Sequence, residues 1–191
     1  IRGVESSGMI CGADEVGLAD QFPKKSEAEI VDLSHLKARP GTPVATALGL
    51  DDVIFEIDNK SLTNRPDLWG HYGMAREIAA LTRKKFTPLV PAKVKANKKY
   101  SLKVKVSAPE ICSRYQAVVI EGVSATESPA WLKNNLVAVG QRPINAIVDL
   151  TNYILFELGQ PLHAFDAAVL NPNDQDITLA VRNAMANEQI V

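Results

Sequence analysis

The sequence predicts an α+β fold, with mostly antiparallel sheets and helices packed against them. Three observations carry this expectation. Leu102, Val104 and Val106 alternate with Lys103, Lys105 and Ser107, and Ile177, Leu179 and Val181 alternate likewise, which is the two-residue period of half-buried strands. Apolar residues recur at steps of three and four from Leu68 to Thr82 and from Ile144 to Leu158, the period of amphipathic helices. Strands and helices do not alternate strictly, as a doubly wound parallel sheet would require.

The elements follow in chain order. Residues 1–50 carry Gly3, Gly8, Gly12, Gly17, Pro23, Pro40, Gly41, Pro43 and Gly49, so short strands and loops are expected there. Residues 53–58 read as a strand. Thr63-Asn64-Arg65-Pro66-Asp67 reads as a helix start with Asp67 as candidate N-cap. That helix runs to about Arg83, with Leu68, Tyr72, Ala75, Ile78, Ala79 and Thr82 as its apolar stripe. Pro88 and Pro91 end the unit and open a linker. After the strand at 102–106, residues 114–123 read as a second, more buried strand. Ser128 is the expected N-cap of a helix with Pro129 in its first turn. Trp131, Leu132, Leu136 and Val139 form its buried side, and Gly140 stops it. Pro143 opens the next helix and Gly159 ends it. On that helix Asn145, Asp149 and Asn152 share a polar stripe opposite the core, while Thr151 sits on the apolar side.

Composition bounds the class. The chain has 191 residues, 46% hydrophobic and 23% charged, which is enough for one large or two small globular domains and excludes a disordered tail, a coiled coil or a collagen-like chain. No apolar run approaches the ~20 residues that cross a bilayer, and no secretory signal opens the chain. Ile1 at one end and the alternation running into Val191 at the other give the expectation of a piece of something longer. Cys11 and Cys112 alone make neither a zinc site nor a disulfide framework, so a reduced, intracellular protein is expected. His35, His71 and His163 lack metal-ligand spacing, and no metal site is expected. Nor is there a Walker-type loop, a dinucleotide fingerprint or a nucleophile elbow.

The net charge of −1 is a cancellation. Acids dominate from Asp14 to Asp58, whereas no acid lies between Glu77 and Glu110. That basic stretch holds Arg83, Lys84, Lys85, Lys93, Lys95, Lys98, Lys99, Lys103 and Lys105. A solvated linker and edge strand explain it, as does contact with a phosphate backbone.

The segment 141–166 stands apart. It contains Gln141-Arg142-Pro143-Ile144-Asn145, Asp149-Leu150-Thr151-Asn152-Tyr153 and Gly159-Gln160-Pro161-Leu162-His163-Ala164-Phe165-Asp166. Polar groups interrupt a well patterned apolar helix, and Pro161 fixes the chain just before His163. Read from pattern alone, these groups either brace neighbouring backbone or form a binding site.

This run resembles a signature of the beta subunit of bacterial-type phenylalanyl-tRNA synthetase. So do Asn64-Arg65-Pro66-Asp67 with Gly73-Met74-Ala75-Arg76-Glu77-Ile78, and the opening Arg2-Gly3-Val4-Glu5-Ser6-Ser7-Gly8-Met9-Ile10-Cys11. The motifs stand in family order and together span nearly the whole chain. The resemblance implies a multi-piece portion of a larger subunit. Residues 1–50 correspond to the tail of an oligonucleotide-binding-fold insert and its return segment. Residues 51–96 correspond to a small N-terminal α+β domain and linker, and residues 97–191 to the first, incomplete part of a tRNA-editing domain.

In the family that domain hydrolyses tyrosine wrongly attached to the phenylalanine tRNA. Tyrosine is phenylalanine plus a hydroxyl, and a hydrophobic pocket rejects such an isostere poorly. A second site can recognise the hydroxyl and leave its own polar groups unpaired when the correct product enters. Thr151, Asn152 and His163 match the family's editing-pocket positions. Thr151 and Asn152 would orient ester or water, and His163 would hold the ribose or ester end or assist proton transfer, with orientation ranked first. Arg142 falls in the same motif, where phosphate contact or an ion pair would occupy it. Asn64, Arg65 and Asp67 are expected to build a helix start and a domain contact, and Trp69 and Trp131 to pack.

The resemblance further implies an alpha subunit as partner in a heterotetramer, tRNA(Phe) as the bound nucleic acid, no membrane, and a cytoplasmic location. ATP and magnesium belong to the whole enzyme, with no cofactor in these 191 residues. The glycine-rich loop and the glutamate that reads the tyrosine hydroxyl lie further along the subunit in this family. The isolated 191 residues are therefore expected to be inactive. A non-catalytic scaffold or tRNA-binding module supporting the alpha subunit is the alternative.

Overall fold

Residues 3–24, 26–95, 97, 99–170 and 176–189 are described by a computed structural model. Arg2 of the opening motif and Lys98 of the basic stretch lie outside them. The chain divides into two units, Ile1–Phe86 with Ala125–Leu162, and Thr87–Ser124 with His163–Val191.

The first unit is helical. Short α1 (Val44–Leu48) is followed by α2 (His71–Thr82), α3 (Ala130–Ala138) and α4 (Ala146–Leu158), with 3-10 turns at Asp14–Val16, Lys60–Leu62 and Pro66–Leu68. Packing of α3 on α4, and of α2 on α4 and the Pro66–Leu68 turn, makes its core. Leu132 and Leu136 of α3 are each only 1% exposed, and Leu68 is buried beside α2. Asn134 on α3 donates its side-chain N–H to the Leu48 carbonyl at 2.7 Å, tying α1 to the helical layer.

The second unit holds β1 (Ser101–Val106), β2 (Asp176–Val181) and the single turn α5 (Ala167–Leu170). Both strands fall where alternation placed them. Their pairing does not: β1 and β2 run parallel, Ser101 opposite Asp176 through Val106 opposite Val181. Mostly antiparallel sheets are therefore wrong for the described residues. Antiparallel strands follow one another through short hairpins, whereas parallel strands need a long crossover. Here the connection carries α3, α4 and α5. The register puts Leu102, Val104 and Val106 beside Ile177, Leu179 and Val181 on one face, and Lys103 and Lys105 on the wet one. Lys99, from the same basic stretch, is bound to Glu121 at 2.5 Å, and the Tyr100 hydroxyl donates to the same carboxylate.

Two further strand expectations fail. Residues 53–58 and 114–123 lack regular secondary structure. Val53, Phe55, Val118 and Ile120 are largely exposed. β-branched and aromatic content fits a pleated surface, but a strand also needs a neighbour to close its ladder. Neither run has a strand partner among the described residues. Residues 1–50 likewise hold loops, one 3-10 turn and α1, with no strand among those described.

The helices shift at their starts. Asp67 lies in the Pro66–Leu68 turn, and Gly70 is the N-cap of α2. Pro129, not Ser128, occupies the N-cap of α3. Both shifts release a side chain for a tertiary contact. Arg65 grips Asp67 with two parallel hydrogen bonds of 2.9 Å and reaches Glu77 at 3.1 Å, and Arg76 donates to Asp67 at 2.9 Å. The Asn-Arg-Pro-Asp motif is thus a structural clip across the start of α2.

Arg65 foremost, with Arg76, holds the Asp67 carboxyl down to about 2, below its ordinary value of 3.8. A depressed carboxyl stabilises the folded state above its unfolded value, and that contribution disappears as pH falls through the folded value. Acid titration followed by helical circular dichroism should therefore show the clip loosening between about pH 4 and 2. Asp67→Asn should flatten that limb; an unchanged profile would remove the clip from acid stability.

Candidate functional site

The candidate site is built on α4. Asn145 caps it, its side-chain oxygen accepting from the Ile147 and Val148 N–H groups at 3.1 Å each. Such a cap is worth about 1 kcal/mol. Asp149, one turn in, is fully buried. One of its oxygens accepts from the Ile144 N–H at 2.8 Å, and the other from the Ser128 hydroxyl at 2.5 Å. The Ala146 N–H also bonds the Thr126 carbonyl at 2.9 Å. The expected wet stripe of Asn145, Asp149 and Asn152 is therefore split, because Asp149 faces inward.

The far end of α4 is equally fixed. Gly159 closes it with φ 74°, its N–H bonding the Leu155 carbonyl at 2.7 Å. His71 donates from Nδ1 to the Phe156 carbonyl at 2.9 Å, joining the start of α2 to the last turn of α4. Gly70 is pressed against that turn: a Cβ there would lie 2.5 Å from the Gly159 nitrogen and 2.7 Å from the Leu158 carbonyl carbon.

On this anchored helix Thr151 and Asn152 are half-buried. The Thr151 hydroxyl donates to the Val148 carbonyl at 2.7 Å, leaving its lone pairs as acceptors. The Asn152 side-chain amide has no hydrogen-bond partner among the described residues, so both its donors and its acceptor are available. Arg142, in the loop before α4, is exposed and has no ion pair among the described residues. His163 begins the second unit, exposed, with its ring against Phe165 at 4.4 Å between centroids. Thr151 and Asn152 thus share one helix turn, while His163 belongs to the other unit.

A groove of about 990 Å³ in the first unit lies away from these residues. Val53, Ile54 and Phe55 line one side, Trp69 and His71 another, and Tyr153, Phe156 and Glu157 of α4 complete it. Beside the apolar side chains its lining includes Asp52, Glu56, Asp58, Lys60 and Thr63. Among the described residues no group of three or more His, Cys, Asp or Glu side chains is placed to hold a metal ion.

Sequence reasoning gave Ser128 the role of N-cap in place of its bond to Asp149, and it missed Gly70 and the inward turn of Asp149. One signal was present: a carboxylate four residues after an N-cap asparagine can reach back to the N–H preceding the cap, as Asp149 does to Ile144.

The B3/4 domain model matches residues 111–191. The chain is 42% identical over its whole length to the phenylalanine–tRNA ligase beta subunit of Solibacter usitatus, covering 23% of that protein. It is 43% identical over its whole length to the one from Synechocystis, again 23% of the relative, and 46% identical over 98% of its length to the one from Geobacter sulfurreducens, 22% of the relative. The chain thus spans less than a quarter of the length of these curated relatives. Over its whole length the chain is thus similar to one portion of phenylalanine–tRNA ligase beta subunits, and residues 111–191 match the B3/4 domain.

Proposed function

We propose that the intact subunit takes part in charging tRNA(Phe) and that this chain supplies part of a hydrolytic pocket that clears tyrosyl-tRNA(Phe). One observation carries the reading: Asn152 offers an unpartnered, half-buried amide on a helix fixed at both ends, within the segment that resembles the editing signature. Ester hydrolysis needs a positioned water, donors for the developing oxyanion and a proton for the departing ribose oxygen. In this reading the Asn152 N–H groups face the ester oxygen, the Thr151 lone pairs hold the water, and His163 holds the ribose end. Arg142 takes a tRNA phosphate.

The same reading assigns residues 1–50, 51–96 and 97–191 to the insert tail, the small N-terminal domain and the first part of the editing domain. It places the subunit in the cytoplasm, in a heterotetramer with an alpha subunit. ATP and magnesium serve the whole enzyme, and no step assigned to this chain passes through them.

The test uses the intact ligase. Asn152→Ala and His163→Ala should each slow tyrosyl-tRNA(Phe) deacylation by about a hundredfold, within the range for a lost oxyanion donor or proton-transfer group. Charging with phenylalanine should stay near the parent rate. Unchanged deacylation would instead favour a scaffold or tRNA-binding module supporting the alpha subunit.

A further inference from the structure

We propose that Asp149, braced by Ser128, is the positioning residue that sets the rotation of α4 and so aims Asn152. The inference rests on the editing reading above and deepens it. Asp149 is 0% exposed, and no cation lies within ion-pair distance of it among the described residues. Its two oxygens instead collect two neutral donors from different segments: the Ser128 hydroxyl, just before α3, and the Ile144 N–H, in the loop before α4. An apolar side chain of similar size would avoid burying a carboxylate, and such replacements often match or exceed a buried charge in stability. What it would not do is tie the helix, beyond its own N-terminal approach at Ile144, to the segment before α3.

A bond from a buried side chain to a separate packed segment, here Ser128, holds a helix against turning about its axis. Successive residues are about 100° apart, so Asn152, three residues on, stands one turn along and about 60° round the helix from the buried Asp149, and it turns with the same rigid helix. Thr151, two residues on, stands about 200° round from Asp149 and turns with the same helix. A rotation of α4 that relaxed the Asp149 contacts would swing both groups away from the reacting ester. Misplacement by about 1 Å can cost about a hundredfold in rate.

Single-turnover deacylation of tyrosyl-tRNA(Phe) by the intact ligase tests this, with phenylalanine charging measured in parallel. Ser128→Ala should lower the deacylation rate constant by about tenfold or more, with the half-saturating enzyme concentration and the charging rate within about twofold of the parent. Ser128→Thr, which keeps the hydroxyl, should restore the rate. Adding Ser128→Ala to Asn152→Ala should slow the reaction little beyond Asn152→Ala alone, because Ser128 acts through that helix turn. Ser128→Cys, which keeps the shape but donates only weakly, provides a second variant should Ser128→Ala fold poorly, and it should lose rate in the same pattern.

An unchanged rate in Ser128→Ala and Ser128→Cys would overturn the positioning role while leaving the editing reading intact, provided that Asn152→Ala is slow. Parallel losses of deacylation and charging would also overturn it, as would fully multiplicative losses in the double variant. A fast Asn152→Ala enzyme would sink the editing reading itself, and this inference with it.

Discussion

Gly73→Ala is expected to destabilise the first unit by about 3 kcal/mol or more, or to prevent its folding. A Cβ at Gly73 would sit 1.5 Å from the Asp67 carbonyl oxygen and 2.6 Å from its carbon. The obstacle is backbone, not the end of a flexible side chain, so relief requires moving the Pro66–Leu68 turn off α2. That turn is clipped by Arg65, Asp67, Arg76 and Glu77 and carries the buried Leu68. The sign of the effect is diagnostic. In an unobstructed helix interior the same change would stabilise by about 1 kcal/mol, because alanine has the better helix propensity. Thermal unfolding of Gly73→Ala beside the exposed Ala75→Gly would separate the cases. A raised or unchanged midpoint for Gly73→Ala would mean that the turn does not lie on the helix.

This contact explains why one stretch of sequence reads easily and another does not. The period of α2, its end near Arg83 and the end of α4 at Gly159 are local properties, and each is legible from spacing and caps. So are the β1 and β2 alternations. What Asp67 and Ser128 do is not local. Each has the chemistry of an N-cap, and each stands just before a helix. Their side chains go elsewhere because Arg65 and Arg76 compete for one, and the buried Asp149 for the other. Capping propensity ranks partners within a few residues and does not count one arriving from residue 149.

Strand pairing fails for a related reason. Alternation says that a segment has a wet face and a dry face, but not which segment lies beside it or in what direction. The run 53–58 satisfies the composition rule for a strand and still has Val53 84% exposed, because nothing described completes its ladder. The candidate site is legible in the same partial way. The segment 141–166 announces itself by polar residues on an apolar helix, yet only the structure shows that Asn145 and Asp149 hold the backbone while the Asn152 amide has no hydrogen-bond partner among the described residues. The bracing reading of that polar stripe thus holds for Asn145 and Asp149.

The second large effect lies in α3, where pattern alone groups Trp131 with Leu132, Leu136 and Val139 as one buried side. The structure separates them. Leu132 is 1% exposed and Trp131 52%, the indole standing edge-on to Tyr153 with ring centroids 5.4 Å apart. Leu132→Ala should therefore cost about 2–5 kcal/mol, the transfer term plus the cavity left between α3 and α4. Trp131→Ala removes a larger side chain, yet one already half in water, and loses mainly an aromatic contact worth about 1 kcal/mol together with part of its burial. The order of the two losses is the test, because volume removed and burial predict opposite rankings. Chemical denaturation with matched m-values should place Leu132→Ala below Trp131→Ala in stability. The reverse order would mean that Trp131 is the true core residue and that α3 is rotated so that Leu132 no longer faces α4. Such a rotation would also carry Ser128, two residues before α3, away from Asp149, so the same measurement bears on whether α4 is held as described.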